Sequence, residues 1–452
     1  MENLYHKLNL DVAAEYRQAF HEGRDVASLE SEVGAIACAY PQDKLANADR
    51  AEAMIARIKA APVKDDFSFC EPDDYAEILK QRPTRRHSFK NTLSDDEMRD
   101  KLLGAWSARV AGCLLGKPVE GCHAPKIERM CRDSGNYPPT RYLRFADFPE
   151  TTVKELEIWD KAAWADTFAG CSPIDDDIMY TVFSLYLLEN RGFDFSSDDI
   201  VDGWTRTIPG VYCCTAEHIA YMNHLAGLRG EECGKYINPY REFLGAQIRT
   251  DLYAYVNPAD PEKAAEMAFR DASATHERNA IYGAMFINAM ISAAAVCDDV
   301  MTVIEAGLDE IPENCRLAYY VRKTVAEFKD GKTWNEMKES IHAQFDEGYF
   351  YDWCFAVPNC MIITAALLHG NGDFTKSIGL SVISGFDTDC NAASIGSVIG
   401  MMKGSAAVDK SWITPFNGKI NTPVAGYNML TLDEAADRTL ALYKKLTESS
   451  GR

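Results

Sequence analysis

Apolar residues recur at helical spacing along most of this chain, and that pattern restricts the fold more than any other feature. Residues 177–190, 216–226, 261–272, 279–295, 315–328, 335–343, 359–369 and 391–402 each read as a helix. β-branched runs bounded by hairpin turns are scarce, so the expected fold class is all-α, with at most short strands at the periphery. The longest apolar stretch, residues 281–297, contains Asn288 and Ser292 and is flanked by Arg278 and Asp298. It is too short and too polar to span a bilayer and reads as a buried helix, so no membrane partner is expected.

The chain divides into two parts. Residues 1–93 read as a helical appendage: 45–60 carries Ala48, Ala51, Met54, Ile55 and Ile58 on one helical face, and 81–93, with Pro83, reads as a linker. Residues 94–452 read as one large helical domain. Its start is marked by Ser94-Asp95-Asp96-Glu97, a capping box in which Ser94 accepts from the Glu97 amide and Glu97 reaches back. Beyond it Met98, Leu102, Trp106 and Val110 mark one face. Gly104, Ala108, Ala111 and Gly112 mark a second, small enough for a neighbouring backbone to approach closely. The helix is expected to stop near Gly116-Lys117-Pro118.

Two acidic clusters carry the candidate chemistry. Asp175-Asp176-Asp177 precedes the helix at 178, and Asp387-Thr388-Asp389-Cys390-Asn391 precedes the small-residue helix at 392. A helix N-cap would account for one aspartate in each, because its oxygen satisfies an orphan amide and its charge suits the positive helix end. Three adjacent carboxylates repel one another unless a cation or strong donors offset the charge. Capping and metal binding therefore both remain open for Asp175–Asp177, and the D-T-D unit favours metal. Carboxylates and a hydroxyl are hard ligands suited to Mg²⁺, Mn²⁺ or Ca²⁺ rather than zinc or copper. The clusters lie 210 residues apart (387 minus 177), so only the fold can join them.

Charge and cysteine usage narrow the partners. With 47 basic and 68 acidic residues the formal charge is −21, a field that opposes a nucleic-acid backbone or an anionic membrane. The one compact basic run, Arg85-Arg86-His87, reads as a solvated connector. No CxxC and no signal-peptide pattern accompany the 14 cysteines, so they are expected to be reduced, mostly buried thiols in a cytoplasmic protein. A G-x-S-x-G elbow, a Walker A loop and a G-x-G-x-x-G fingerprint are all missing. His276-Glu277 begins like H-E-x-x-H but meets Ala280 where the second His belongs, and Cys213-Cys214 reads as structural.

These motifs together resemble the ADP-ribosylglycohydrolase family. Gly112-Cys113-Leu114-Leu115-Gly116-Lys117-Pro118-Val119-Glu120 is similar to its opening G-D-A-L-G-x-P-x-E. Asp175-Asp176-Asp177 resembles its T/S-D-D-T metal motif, and Ile174-Asp175-Asp176 fits the same motif one residue earlier. Gly385-x-Asp387-Thr388-Asp389-x-Asn391-Ala392 resembles G-x-D-T-D-T/S-N-A, the most specific of these, and Thr275-His276 resembles a further landmark. All occur in family order over roughly residues 97–445. The resemblance implies a large orthogonal multi-helix domain with two Mg²⁺ or Mn²⁺ ions. The metal ligands would be Asp175, Asp176, Asp177, Asp387 and Asp389, with Asp175 in the Thr/Ser position. Glu120 and Asp387 would be catalytic, and His276 and Asn391 would bind substrate. Cys113 stands where the family has Asp, and Cys390 where it has Thr or Ser.

The activity so implied is metal-dependent hydrolysis at the anomeric carbon of an ADP-ribosyl or related ribosyl substrate. Two alternatives are hydrolysis of another nucleoside or sugar phosphate, and a non-catalytic, crystallin-like member of the family. The expected partner is a small-molecule or ADP-ribosylated substrate rather than bulk nucleic acid; the oligomeric state is open.

Overall fold

The fold follows from how closely two helices can approach. In the computed structural model, which describes residues 4–159 and 163–450 and so excludes the first three residues of the N-terminal stretch, Ser94 caps the opening helix Asp95–Gly116 through both halves of the capping box. The helix gives way at Lys117 to a short 3₁₀ turn, Lys117–Val119, whose proline cannot continue it. Along its flank lies the closing helix, Thr388–Lys403. Glycine permits the contact. A Cβ on Gly112 would sit 2.2 Å from the Ala392 carbonyl oxygen, and one on Gly116 would sit 2.3 Å from the Thr388 carbonyl carbon. From the other side, a Cβ on Gly396 would meet the Ala108 oxygen at 2.2 Å, and one on Gly400 the Gly104 oxygen at 2.3 Å. The Thr388 hydroxyl donates to the Gly116 carbonyl at 2.9 Å and sets the register.

Around this pair the remaining helices form one contiguous core. Helix Arg278–Ala294 is buried on every side, as its mostly apolar sequence requires, with Asn279, Asn288 and Ser292 buried along with the rest. It packs against Pro261–Ala272, Val300–Leu308, Ala356–Gly370 and the closing helix. The helices expected at 216–226 and 279–295 are found one residue earlier, at Thr215–Leu225 and Arg278–Ala294, and that expected at 315–328 one residue later, at Arg316–Lys329. The closing helix begins three residues before the expected 391, so Asp389 lies in its first turn and Asp387 is its N-cap residue. Only one hairpin interrupts the described residues' helical character: Lys419–Asn421 pairs antiparallel with Met429–Thr431. No helix among them is long and apolar enough to cross a membrane.

The N-terminal residues build a small core of their own from Val12, Ala19, Val33, Ile36, Met54 and Ile58. Buried charge ties this segment to the rest. Arg241 bonds Glu15 and Glu22, and Arg316 bonds Glu71 while also reaching Glu242. Such pairs cost desolvation, and breaking one leaves an uncompensated charge, so they specify a seat more than they add stability. The basic run in the linker is exposed to solvent, as expected, and two of its residues also pair with the body. Arg86 pairs with Glu262 at 2.8 Å and Glu310 at 3.2 Å, and His87 pairs with Asp309 at 2.7 Å, because the body presents carboxylates there.

The glycine contacts generate a paired expectation. Gly112→Ala should destabilise the protein by about 2–3 kcal/mol, since two backbones must separate. Gly34→Ala, in helix Glu30–Ala39 with nothing within 4 Å of its Cβ position, should be neutral or stabilising by up to about 1 kcal/mol. Denaturant midpoints of the two variants measure the difference.

Candidate metal centre and active site

The close helix pair brings the two acidic clusters together. Candidate ligand atoms of Cys113, Asp175 and Asp177 lie within 4.8 Å of one another, as do those of Asp177, Asp389 and Cys390, so Asp177 is common to both groups. Asp175, Asp177, Asp387 and Asp389 are all buried, Asp176 is partly exposed, and Glu120 is exposed at the rim.

The aspartates differ sharply in what they bond. Asp175 is the N-cap of helix Asp176–Arg191: its Oδ1 accepts from the Asp177 amide at 2.9 Å, and its Oδ2 lies 2.5 Å from Lys117 Nζ. The capping reading therefore describes Asp175. Asp177 is fully buried, and neither of its carboxylate oxygens has a hydrogen-bond partner. Arg109, also fully buried, donates to the Asp177 carbonyl from Nε and Nη2 at 3.1 and 2.6 Å, and to Asp251 from Nη1. Its nearest approach to the Asp177 carboxylate is 3.6 Å.

Asp387 also lacks a cap bond to its own helix, and its Oδ1 has no partner. Its amide donates to Asn359 Oδ1 at 3.3 Å, the same oxygen that Asn391 Nδ2 reaches at 2.8 Å. Asn391 is thus wholly buried and braces the Asp387 turn. The turn itself is unusual: Gly385 and Phe386 both have positive φ, +70° and +52°. Glu347 holds it, with Oε2 accepting from the Phe386 amide at 3.2 Å and Oε1 from the Ala124 amide at 2.9 Å. A non-glycine residue held at positive φ stores strain, which is common beside functional groups.

Buried aspartates this close suppress one another's ionisation. Burial, then Asp175 and Asp389, push Asp176 up to about 7, and Asp177 is raised well above the carboxylate range by the same causes. Asp387 is raised by burial and by Asp389, with which it shares a hydrogen bond. Asp175 moves down despite burial, because Lys117 stands against it. Glu120 is pushed up to about 9, first by the charge of Asp389 and then by desolvation, Asp175 and Asp176. Unbonded, buried carboxylate oxygens in such a field are what a hard divalent cation would satisfy.

His276 sits in a second buried ionic group, whose Glu217 acts electrostatically on Asp176. It is buried, its Nδ1 is 2.6 Å from the Thr275 hydroxyl, and its Nε2 faces Glu217 at 3.9 Å. Glu217 in turn pairs with Arg249, which also binds Asp271. Burial and Arg249 hold His276 neutral. Several contributors escaped the sequence reading. Cys214 lies within electrostatic reach of Asp176, Glu217 and Glu120, although Cys213-Cys214 read as merely structural, and the buried Cys354 lies within electrostatic reach of Asp387 and Glu120. Trp353 donates to the Phe386 carbonyl. No local pattern announces these residues, whereas Arg109, a charge inside a small-residue helix, could have been noticed. A cavity of about 690 Å³ opens elsewhere, between the linker near Phe89, the turn at Pro258 and the C-terminal helix near Tyr443, and contains none of the acidic cluster.

The raised carboxylates fix the sign of two pH effects. A folded-state pKa above the unfolded value near 4 means the folded chain binds the extra proton, so without cation stability should fall as pH rises from about 4 towards 7. Divalent cation must displace those protons. Affinity for Mn²⁺ should therefore rise from about pH 5.5 to about 8, with protons released to the buffer. Calorimetry in two buffers of different ionisation enthalpy checks this; a pH-independent affinity would contradict it.

Comparison with known proteins matches the same region. The sequence model of the family described as ADP-ribosylglycohydrolase matches residues 94–448. A solved structure titled "ADP-ribosylglycohydrolase-related protein complex" aligns at 20% identity with a TM-score of 0.48, covering 77% of this chain and 99% of that one. No curated protein sequence matches. The family match runs from the capping box through both acidic clusters into the C-terminal helix, and this chain belongs to the ADP-ribosylglycohydrolase family.

Proposed function

We propose that the chain is a divalent-cation-dependent hydrolase that cleaves the bond at the anomeric ribose carbon of an ADP-ribosyl or closely related ribosyl substrate. The observation that carries this reading is the pair of buried aspartates, Asp177 and Asp387, whose carboxylate oxygens lack hydrogen-bond partners. Family membership supports a glycohydrolase, and those orphaned oxygens support a cation.

Asp177, Asp387 and Asp389 would hold Mg²⁺ or Mn²⁺, with Asp176 at the exposed side. A divalent cation in such a centre lowers the pKa of bound water and grips vicinal hydroxyls. The protein's own groups do the rest. Arg109 fixes Asp177 through its carbonyl, and Asn359 and Asn391 fix the Asp387 turn. Glu120, at the rim among Asp389, Asp175 and Asp176, is biased towards its protonated form and delivers that proton to the leaving atom as the glycosidic bond breaks. His276, buried and neutral, acts on the site through Glu217 rather than by facing substrate. The acidic protein and a pyrophosphate-bearing substrate repel each other, and the cation offsets that repulsion.

A non-catalytic role has one observation in its favour: Asp175 is already neutralised by Lys117, without a metal. The two readings separate in one assay. Chelator-stripped protein is supplied with Mg²⁺ or Mn²⁺ and a panel of ADP-ribosylated peptides, ADP-ribose conjugates and nucleosides. Metal-dependent release of ADP-ribose or ribose is expected. Asp387→Ala should abolish it with the fold retained, and Glu120→Gln should lower kcat by about 10²–10⁴-fold while leaving cation uptake intact. Turnover in Asp387→Ala equal to the parent's would refute the assignment, and neither uptake nor release would select the non-catalytic role.

A further inference from the structure

We infer that Lys117 is a built-in cation occupying one half of the acidic centre, so that the chain holds a single divalent ion where the family resemblance implies two. The inference rests on the divalent-cation reading above and concerns how that site is filled.

The centre consists of two candidate groups that share Asp177. In the group of Cys113, Asp175 and Asp177, the ammonium of Lys117 lies 2.5 Å from Asp175 Oδ2, with Asp175 wholly buried and the lysine side chain 21% exposed. The other oxygen of Asp175 caps its own helix at the Asp177 amide. Both oxygens of Asp175 are thus engaged, one by a positive charge and one by the backbone. A divalent ion seated here would have to displace an ammonium and lie against it, like charge beside like charge. The Cys113 thiol, in the place of a family carboxylate, weakens this half further as a seat for a hard ion.

In the other group the nearby cation is Arg109, whose guanidinium stops 3.6 Å from the Asp177 carboxylate and makes no hydrogen bond to it. Asp177 offers two unbonded oxygens, and Asp387 beside it offers one, each on a side chain at least nine-tenths buried. Buried carboxylate oxygens left in that state can be satisfied by a positive charge from outside the chain.

The lysine is held by the fold. It opens the Lys117–Val119 turn directly after Gly116, whose Cα lies against the Thr388 backbone and whose carbonyl accepts from the Thr388 hydroxyl. Its backbone is therefore anchored to the same helix start that carries Asp387 and Asp389, and the ammonium is delivered to a fixed place. Lysine at this position exchanges an ion that must be recruited for a charge that is always present.

The test counts ions. Chelator-stripped full-length protein is titrated with Mn²⁺ alone, with bound and free ion measured by electron paramagnetic resonance and calorimetry. One Mn²⁺ per chain is expected, with the six-line signal of an isolated ion. Lys117→Met, with Lys117→Gln as a second variant should the first not fold, should raise the count from one to two by freeing Asp175, and the bound signal should become that of a coupled pair. Lys117→Arg should keep one. Two ions in the parent chain, or one in both neutral variants, would overturn the inference and leave the proposed function standing. No uptake by the parent would remove both.

Discussion

Backbone-to-backbone contact between the opening and closing helices is the constraint on which the rest of the structure depends. Gly104, Gly112 and Gly116 on one helix face Gly400, Ala392 and Thr388 on the other, at separations no Cβ would allow. Interiors are close-packed, and a contact made by main-chain atoms cannot relax by changing rotamer. The N-terminal turn of the closing helix and the C-terminal turn of the opening one therefore stand in fixed relation. That relation places Asp387 and Asp389 beside Lys117 and Asp175, and it gives a cluster of carboxylates the rigidity that a metal site needs.

The second organising theme is how buried acids are compensated. Away from the centre, arginines do it: Arg241 for Glu15 and Glu22, Arg316 for Glu71 and Glu242, Arg249 for Glu217 and Asp271. At the centre the pattern breaks. Arg109 spends its short bonds on the Asp177 carbonyl and on Asp251, leaving the Asp177 carboxylate at 3.6 Å, and Asp387 Oδ1 has no partner. A fold that pairs its buried acids elsewhere and leaves these open concentrates carboxylates without a close partner at one point. The departures from the family pattern, Cys113, Asp175 and Cys390, lie around that same point, and Lys117 answers one of them directly.

Much of this was legible residue by residue. Helical periodicity, the Ser94–Glu97 box and the small-residue face of the opening helix are local properties, set by backbone hydrogen bonding and side-chain size within one or two turns. The acidic runs were equally visible, because adjacent like charges are costly wherever they occur. The start of the closing helix was misplaced by three residues, since Thr388, Asp389 and Cys390 are weak helix formers that tertiary packing overrides. Arg86 and His87 are exposed, as read, but their ion-pair partners, Glu262, Glu310 and Asp309, lie far away in sequence and left no local sign.

Which aspartate does what was beyond local pattern. Asp175, Asp176 and Asp177 are alike in sequence, yet one caps a helix against a lysine, one is partly exposed, and one is buried with both oxygens free. Helix phase points successive side chains about 100° apart, and only the neighbours each then meets assign its role. Asn391 and His276 follow the same rule: Asn391 turns inward to Asn359 and His276 towards Glu217. Chain-local chemistry therefore specified the helices, their caps and the presence of two acidic turns. Distance between residues remote in sequence, which no local pattern encodes, decided that the turns meet and which of their oxygens remain without a partner.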